Sequence, residues 1–255
     1  MRRFLIACGG TGGHLAPGIA LAEELIARGY ECKLLISRKQ VDSRLIQQYP
    51  KLDYTKIPGV GFSLKPMKLL KFLFEQTQAF WISVQLLRKQ KPTAVISFGG
   101  FTSLGIVAAA VLKRIPVVLH EANRVPGKAT TLFSSVAKRV YLPVEVKLNQ
   151  KAGERVQYMG FPLRKSIQRM DKKDACASLG LDANKKRLLV LGGSQGSSAL
   201  NEWVLNHFEK LGALGVDVYC VTGLGKVTEK KIEYRDESGN KAEAIFTDFI
   251  DNVSE

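Results

Sequence analysis

Two glycine-rich loops constrain this chain more than any other feature, because each follows a short apolar run and precedes a segment of helical spacing. The first is Gly9-Gly10-Thr11-Gly12-Gly13-His14 and the second Gly192-Gly193-Ser194-Gln195-Gly196. Before the first loop, Arg3 to Cys8 reads as a strand. After it, Leu15, Ile19, Ala22 and Ile26 share a helix face, Gly29 closes that helix, and Cys32 to Ile36 reads as a second strand. The unit recurs with a strand at Ala94 to Phe98, Gly99-Gly100, a helix around Leu104 to Leu112 and a strand at Pro116 to His120. Strands alternating with helices predict a parallel, doubly wound α/β sheet. Between Arg164 and Lys186 the chain turns polar and basic, without apolar periodicity. A strand at Leu188 to Leu191, the second glycine loop, a helix at Leu200 to Leu211 and a strand at Val216 to Val221 then begin the pattern afresh. Two α/β domains are expected, at residues 1–162 and 163–255. The second is short of the about 100–150 residues usual for a domain and reads as incomplete.

Charge narrows the partner. The 255 residues carry a net charge of +15, with 45% apolar and 24% charged residues. That balance suits a soluble globular protein with an anionic partner: nucleic acid, a phosphorylated metabolite or an anionic membrane surface. Cys8, Cys32, Cys176 and Cys220 are far apart and form no C-x-x-C pair, which favours reduced thiols over a disulfide or zinc framework and points to the cytosol. Arg2-Arg3 before Phe4-Leu5-Ile6-Ala7-Cys8 imitates a signal sequence, but five apolar residues fall short of the about 7–15 required. No window supplies the ~18 apolar residues of a membrane span. Any membrane contact is expected at the surface.

Glycines after a strand let backbone N–H groups approach an anion. A dinucleotide is a poor fit, since Leu15 stands where a third glycine belongs and Ser37-Arg38 stand where an acid should end the second strand. His14, in the first turn of the following helix, is expected to be neutral, either as a general base or as a loop hydrogen-bonding group. The second loop matches G-x-S-x-G, yet a hydrolase needs a later histidine, and His207 on the next helix is the last one in the chain. A second anion loop accounts better for Ser194. His120-Glu121-Ala122-Asn123 ends a strand, where α/β sheets bind ligands. Arg164, after Gly160-Phe161-Pro162-Leu163, reads either as a ligand contact or as surface charge. From Phe62 to Lys91, Met67, Leu69, Leu70, Phe72, Leu73 and Phe74 are interleaved with Lys65, Lys68 and Lys71, and Glu75 is the only acid. The mixture suits an anionic bilayer, or else ordinary core residues with lysines on the wet face. Nucleic acid fits less well, since no binding module is legible.

The motifs together resemble one family. Gly9 to His14 with Pro17-Gly18, Ser97-Phe98-Gly99-Gly100-Phe101, Val118 to Asn123, Gly160 to Arg164, Leu191 to Gly196 and Phe249-Ile250-Asp251 follow, in order, the pattern of the MurG family of bacterial UDP-N-acetylglucosamine transferases. The resemblance implies a GT-B fold of two Rossmann-like domains, an N-terminal one for acceptor and membrane docking and a C-terminal one for the UDP-sugar. It implies transfer of N-acetylglucosamine to the 4-hydroxyl of the N-acetylmuramoyl-pentapeptide of lipid I, giving lipid II for peptidoglycan, with inversion and without metal or cofactor. It implies a peripheral protein on the cytoplasmic side of the inner membrane. By the same resemblance His14 is the candidate base, and Thr11, Gly12, Gly13, Asn123, Arg164, Ser194 and the backbone of Ile250 contact UDP-N-acetylglucosamine. Residues 62–91 correspond to a membrane-facing patch. The chain departs from the family in having Ala122 where glutamine is common and in lacking the later donor-site loop and final helix. An alternative therefore stands beside the enzyme: a membrane-docking, non-catalytic half.

Overall fold

The computed structural model describes residues 1–148, 150–226, 230–237, 239 and 241–250. The chain divides into two compact units, Met1–Lys165 and Ser166–Glu255.

The first unit holds seven strands: β1 (Arg3–Ala7), β2 (Glu31–Ser37), β3 (Asp53–Ile57), β4 (Ala94–Ser97), β5 (Val117–His120), β6 (Arg139–Leu142) and β7 (Val156–Tyr158). All neighbours pair in parallel, in the order β3-β2-β1-β4-β5-β6-β7. Helices α1 (Gly12–Ala27), α2 (Gln40–Gln47), α3 (Pro66–Gln90), α4 (Ser103–Leu112) and α5 (Lys128–Phe133) make the crossovers. A parallel sheet covered on both faces needs apolar residues on both, so its strands read as continuous rather than alternating runs. Accordingly Leu5, Leu35 and Val95 enter one core, while Ile6, Leu34 and Ile96 enter the other. The strand order reverses between β1 and β4, and the crevice above their carboxyl ends is where such sheets bind ligands. Both Gly9–His14 and Gly99-Gly100 emerge there.

Close helix packing depends on two small residues. A Cβ on Gly18 of α1 would stand 2.4 Å from the Cys8 Cβ, and one on Gly105 of α4 would stand 2.9 Å from the α3 backbone at Ala79. Helix α3 is divided along its length. Its buried residues are Ala79, Ser83, Val84 and Leu87, whereas Met67, Leu70, Leu73, Phe74 and Trp81 are exposed. Core packing thus explains the C-terminal half of the apolar stretch but not the N-terminal half.

The second unit contains β8 (Lys186–Leu191), β9 (Val216–Val221), β10 (Lys230–Arg235) and β11 (Lys241–Thr247), in the order β10-β11-β9-β8. Strands β8, β9 and β11 are parallel, but β10 runs antiparallel to β11, which departs from the all-parallel expectation. Helix α7 (Ser198–Ala213) packs Val204 and Phe208 onto Val190, Val218, Cys220 and Phe246. Helix α6 (Lys172–Ser178) lies in the polar, basic stretch that shows no apolar periodicity. Its start is set by a cap, the Asp171 side chain accepting from the Lys173 N–H at 2.8 Å, and not by an apolar stripe. All four cysteines are free thiols.

Candidate active site

The first glycine loop is fastened on three sides. Gly9 passes so close to β2 that a Cβ would stand 2.2 Å from the Ser37 nitrogen, and its carbonyl accepts from the Thr102 hydroxyl at 2.6 Å. Gly10 (φ +118°) donates its N–H to Asp42 Oδ2 at 2.8 Å, and its carbonyl accepts from Lys39 Nζ at 2.8 Å. The same Asp42 oxygen accepts from the Ser37 N–H at 2.9 Å and the Ser37 hydroxyl at 2.6 Å. Asp42 is fully buried, on the N-terminal turns of α2.

Helix α1 begins inside the loop, with Thr11 as its N-cap. The Thr11 hydroxyl caps no backbone N–H and instead lies 3.3 Å from His14 Nδ1. The imidazole rests against Gly99-Gly100, whose φ angles of +87° and +78° suit glycine. A Cβ on Gly100 would come within 3.1 Å of His14 Nδ1. Burial pushes the His14 pKa below 6.5, with Lys39 acting in the same direction and Glu121 and Asp42 opposing. The ring is therefore neutral at neutral pH, as its helical position suggested, but the principal cause is burial.

His14 and Asn123 line one cavity of about 460 Å³ together with Glu121, Lys128 and the aromatic rings of Phe62, Phe72 and Phe101. Glu121, named in the sequence only as part of the strand-end motif His120–Asn123 and given no role there, organises this wall. It is buried, its Oε1 accepts from the N–H groups of Ala122 and Asn123 (3.0 Å each) and from Asn123 Nδ2 (2.7 Å), and its Oε2 accepts from the Gly127 N–H at 2.8 Å. Burial alone would raise its pKa. The Thr130 hydroxyl, the N–H groups of Gly127 and Asn123 and the Asn123 amide outweigh that and hold the carboxyl below 4.5. The only sequence signal for Glu121, Gly127 and Lys128 was their place just past the end of a strand.

The other candidates are distributed differently. His120 is buried, with its ring centroid 5.0 Å from that of Phe98 and 6.3 Å from that of Phe161. Burial lowers its pKa, while the Gly160 backbone and Glu121 favour the protonated ring. Arg164 belongs to the first unit and is not surface charge: it is buried and donates to the Tyr49 hydroxyl at 3.2 Å. Ser194 and Ile250 lie in the second unit, and Asp251 falls outside the described residues. In the second loop a Cβ on Gly196 would stand 1.7 Å from the Thr222 carbonyl oxygen, so glycine is required by contact as well as by its φ of +65°. His207 stacks on Trp203 at 4.8 Å and engages the Trp203 carbonyl from the exposed side of α7, which leaves the hydrolase reading of Ser194 unsupported.

A doubly wound unit followed by a second α/β unit, each containing a strand, glycine loop and helix in succession, is the GT-B architecture of glycosyltransferases. The N-terminal domain model of glycosyltransferase family 28 matches residues 4–142 and the C-terminal domain model of that family matches residues 187–255. The chain belongs to glycosyltransferase family 28. It is 50% identical over its whole length to 68% of a UDP-N-acetylglucosamine--N-acetylmuramyl-(pentapeptide) pyrophosphoryl-undecaprenol N-acetylglucosamine transferase of Opitutus terrae. Over 91% of the chain it is 35% identical to 63% of the protein of that name from Protochlamydia amoebophila. Among solved structures, MurG of Acinetobacter baumannii superposes with a TM-score of 0.60 at 23% identity, covering 100% of this chain and 70% of that one. UDP-GlcNAc 2-epimerase from Neisseria meningitidis, bound to UDP-GlcNAc, gives 0.58 at 13%, covering 88% and 66%. The chain spans about two thirds of the length of the curated relatives it matches.

Proposed function

We propose that this chain carries the glycosyl transfer its relatives are named for: N-acetylglucosamine moves from UDP-N-acetylglucosamine to the 4-hydroxyl of the N-acetylmuramoyl sugar of lipid I, giving lipid II. The relative that is 50% identical along the whole chain carries this reading, and a neutral His14 at the wall of a cavity supports it. The Thr11 hydroxyl lies 3.3 Å from His14 Nδ1; in the tautomer that carries the proton on Nδ1, the Nε2 lone pair takes the acceptor proton. The acceptor oxygen attacks the anomeric carbon from the face opposite the pyrophosphate. A glycosidic bond forms, the bond to the phosphate oxygen breaks with its electron pair, and UDP leaves. Asp42 and Glu121 favour the imidazolium that results.

On the donor side Thr11, Gly12, Gly13, Asn123, Arg164, Ser194 and the Ile250 backbone hold UDP-N-acetylglucosamine. The first unit receives acceptor and membrane, the second the nucleotide. The exposed half of α3, with Met67, Leu70 and Phe74 among Lys65, Lys68 and Lys71, docks on an anionic membrane from the cytoplasmic side. No helix among the described residues is long and apolar enough to cross a membrane. Transfer of radiolabelled sugar to a lipid I analogue tests the reading, and absence of transfer sinks it.

A further inference from the structure

Lys128 is the only lysine or arginine among the described residues that line the cavity above the glycine loops. Its ammonium sits 5.2 Å from the ring centroid of Phe62, and it makes no ion pair among the described residues. The carboxylate nearest in the chain, Glu121, is buried and spends both oxygens on N–H groups of its own loop. The lysine is thus left without an acid while the loop that carries it is held firmly. Beneath it the rings continue, with Phe62 edge-to-face on Phe72 at 5.5 Å and Phe72 edge-to-face on Phe101 at 5.9 Å. The cavity therefore offers an imidazole, one uncommitted cation and an aromatic wall.

We propose that Lys128 binds the phosphoryl linkage of an amphipathic acceptor, between a sugar that reaches His14 and a hydrocarbon tail that lies on Phe62, Phe72 and Phe101. This rests on reading the cavity as the acceptor site. A charge-assisted hydrogen bond to a phosphoryl oxygen is stronger than the cation–π contact it replaces at an exposed site, so the ammonium leaves the ring for the ligand. Glu121 stays ionised in this wall, its charge held by four N–H contacts, so Lys128 is the group that offsets it where a phosphoryl anion enters. A nucleotide diphosphate shares the phosphoryl chemistry but has no tail for the aromatic wall.

Isothermal titration of the 255-residue chain with farnesyl pyrophosphate, farnesol and UDP tests the assignment. Wild type binds farnesyl pyrophosphate more tightly than farnesol. Lys128→Gln weakens farnesyl pyrophosphate about tenfold, a loss of one charge-assisted contact. It leaves farnesol and UDP unchanged, and Lys128→Arg restores most of the difference. The proposal is overturned if Lys128→Gln binds farnesyl pyrophosphate like wild type, if farnesol weakens in parallel, or if wild type binds neither. A selective loss of UDP affinity overturns it in favour of a donor-side role. His14→Ala should retain the farnesyl pyrophosphate affinity, so the binding result stands or falls separately from the transfer assay.

Discussion

Removing the Asp42 side chain is the most direct test of how the glycine loop is held. In Asp42→Ala the Gly10 N–H, the Ser37 N–H and the Ser37 hydroxyl lose one shared acceptor, now at 2.8, 2.9 and 2.6 Å. The side chain is fully buried, so water does not readily replace it. Each stranded buried donor costs about 1–3 kcal/mol, and neighbouring losses are less than additive. A total of about 3–4 kcal/mol follows, lowering Tm by about 10 °C for a unit of this size. Asp42→Asn keeps an accepting oxygen, but its amide N–H₂ arrives where Oδ1 has no partner, so about 1–2 kcal/mol is expected. Urea unfolding followed by circular dichroism measures both. A loss below 1 kcal/mol for the alanine variant refutes the account, because the loop would then be held by Lys39, Thr102 and close packing alone.

His14→Ala should reduce turnover by about 10²–10⁴-fold while leaving donor binding intact. Because burial holds the His14 pKa below 6.5, turnover in wild type should be flat at neutral pH and fall on acidification, as the base becomes protonated. A profile that rises as pH falls contradicts the role. Glu121 has a folded-state pKa below its ordinary 4.5, so its contribution to stability is present above 4.5 and is lost as pH falls through the depressed value. Stability of Glu121→Gln measured against pH should lack that acid-side loss, and an unchanged slope argues against it. Replacing Met67, Leu70 and Phe74 by serine should weaken sedimentation with anionic vesicles without lowering Tm, because the three side chains are exposed. A matching fall in Tm would mean that they belong to the core.

Features that depend on neighbours in the chain were legible in the sequence. A strand, a glycine loop and an amphipathic helix within thirty residues specify βαβ units and a parallel sheet, and their second occurrence specifies a second unit. The same locality placed His14 at the start of α1. Other elements lacked a periodic signal of sufficient length: α2, α5 and α6 are eight residues or fewer, and α6 is specified chiefly by its Asp171 cap. What surrounds His14 was decided only by tertiary structure. Asp42 meets Gly10 from α2, Thr102 reaches Gly9 from α4, and Gly99-Gly100 leave room for the imidazole because they lack a Cβ. Glu121 looked like an ordinary acid after a strand until its four N–H contacts and its burial were seen. The pKa of His14 and the freedom of Lys128 likewise depend on burial and on partners brought together from separate elements. Local sequence therefore determined where the glycine loops stand, and the parallel pairing of β1 with β4 decided what stands around them.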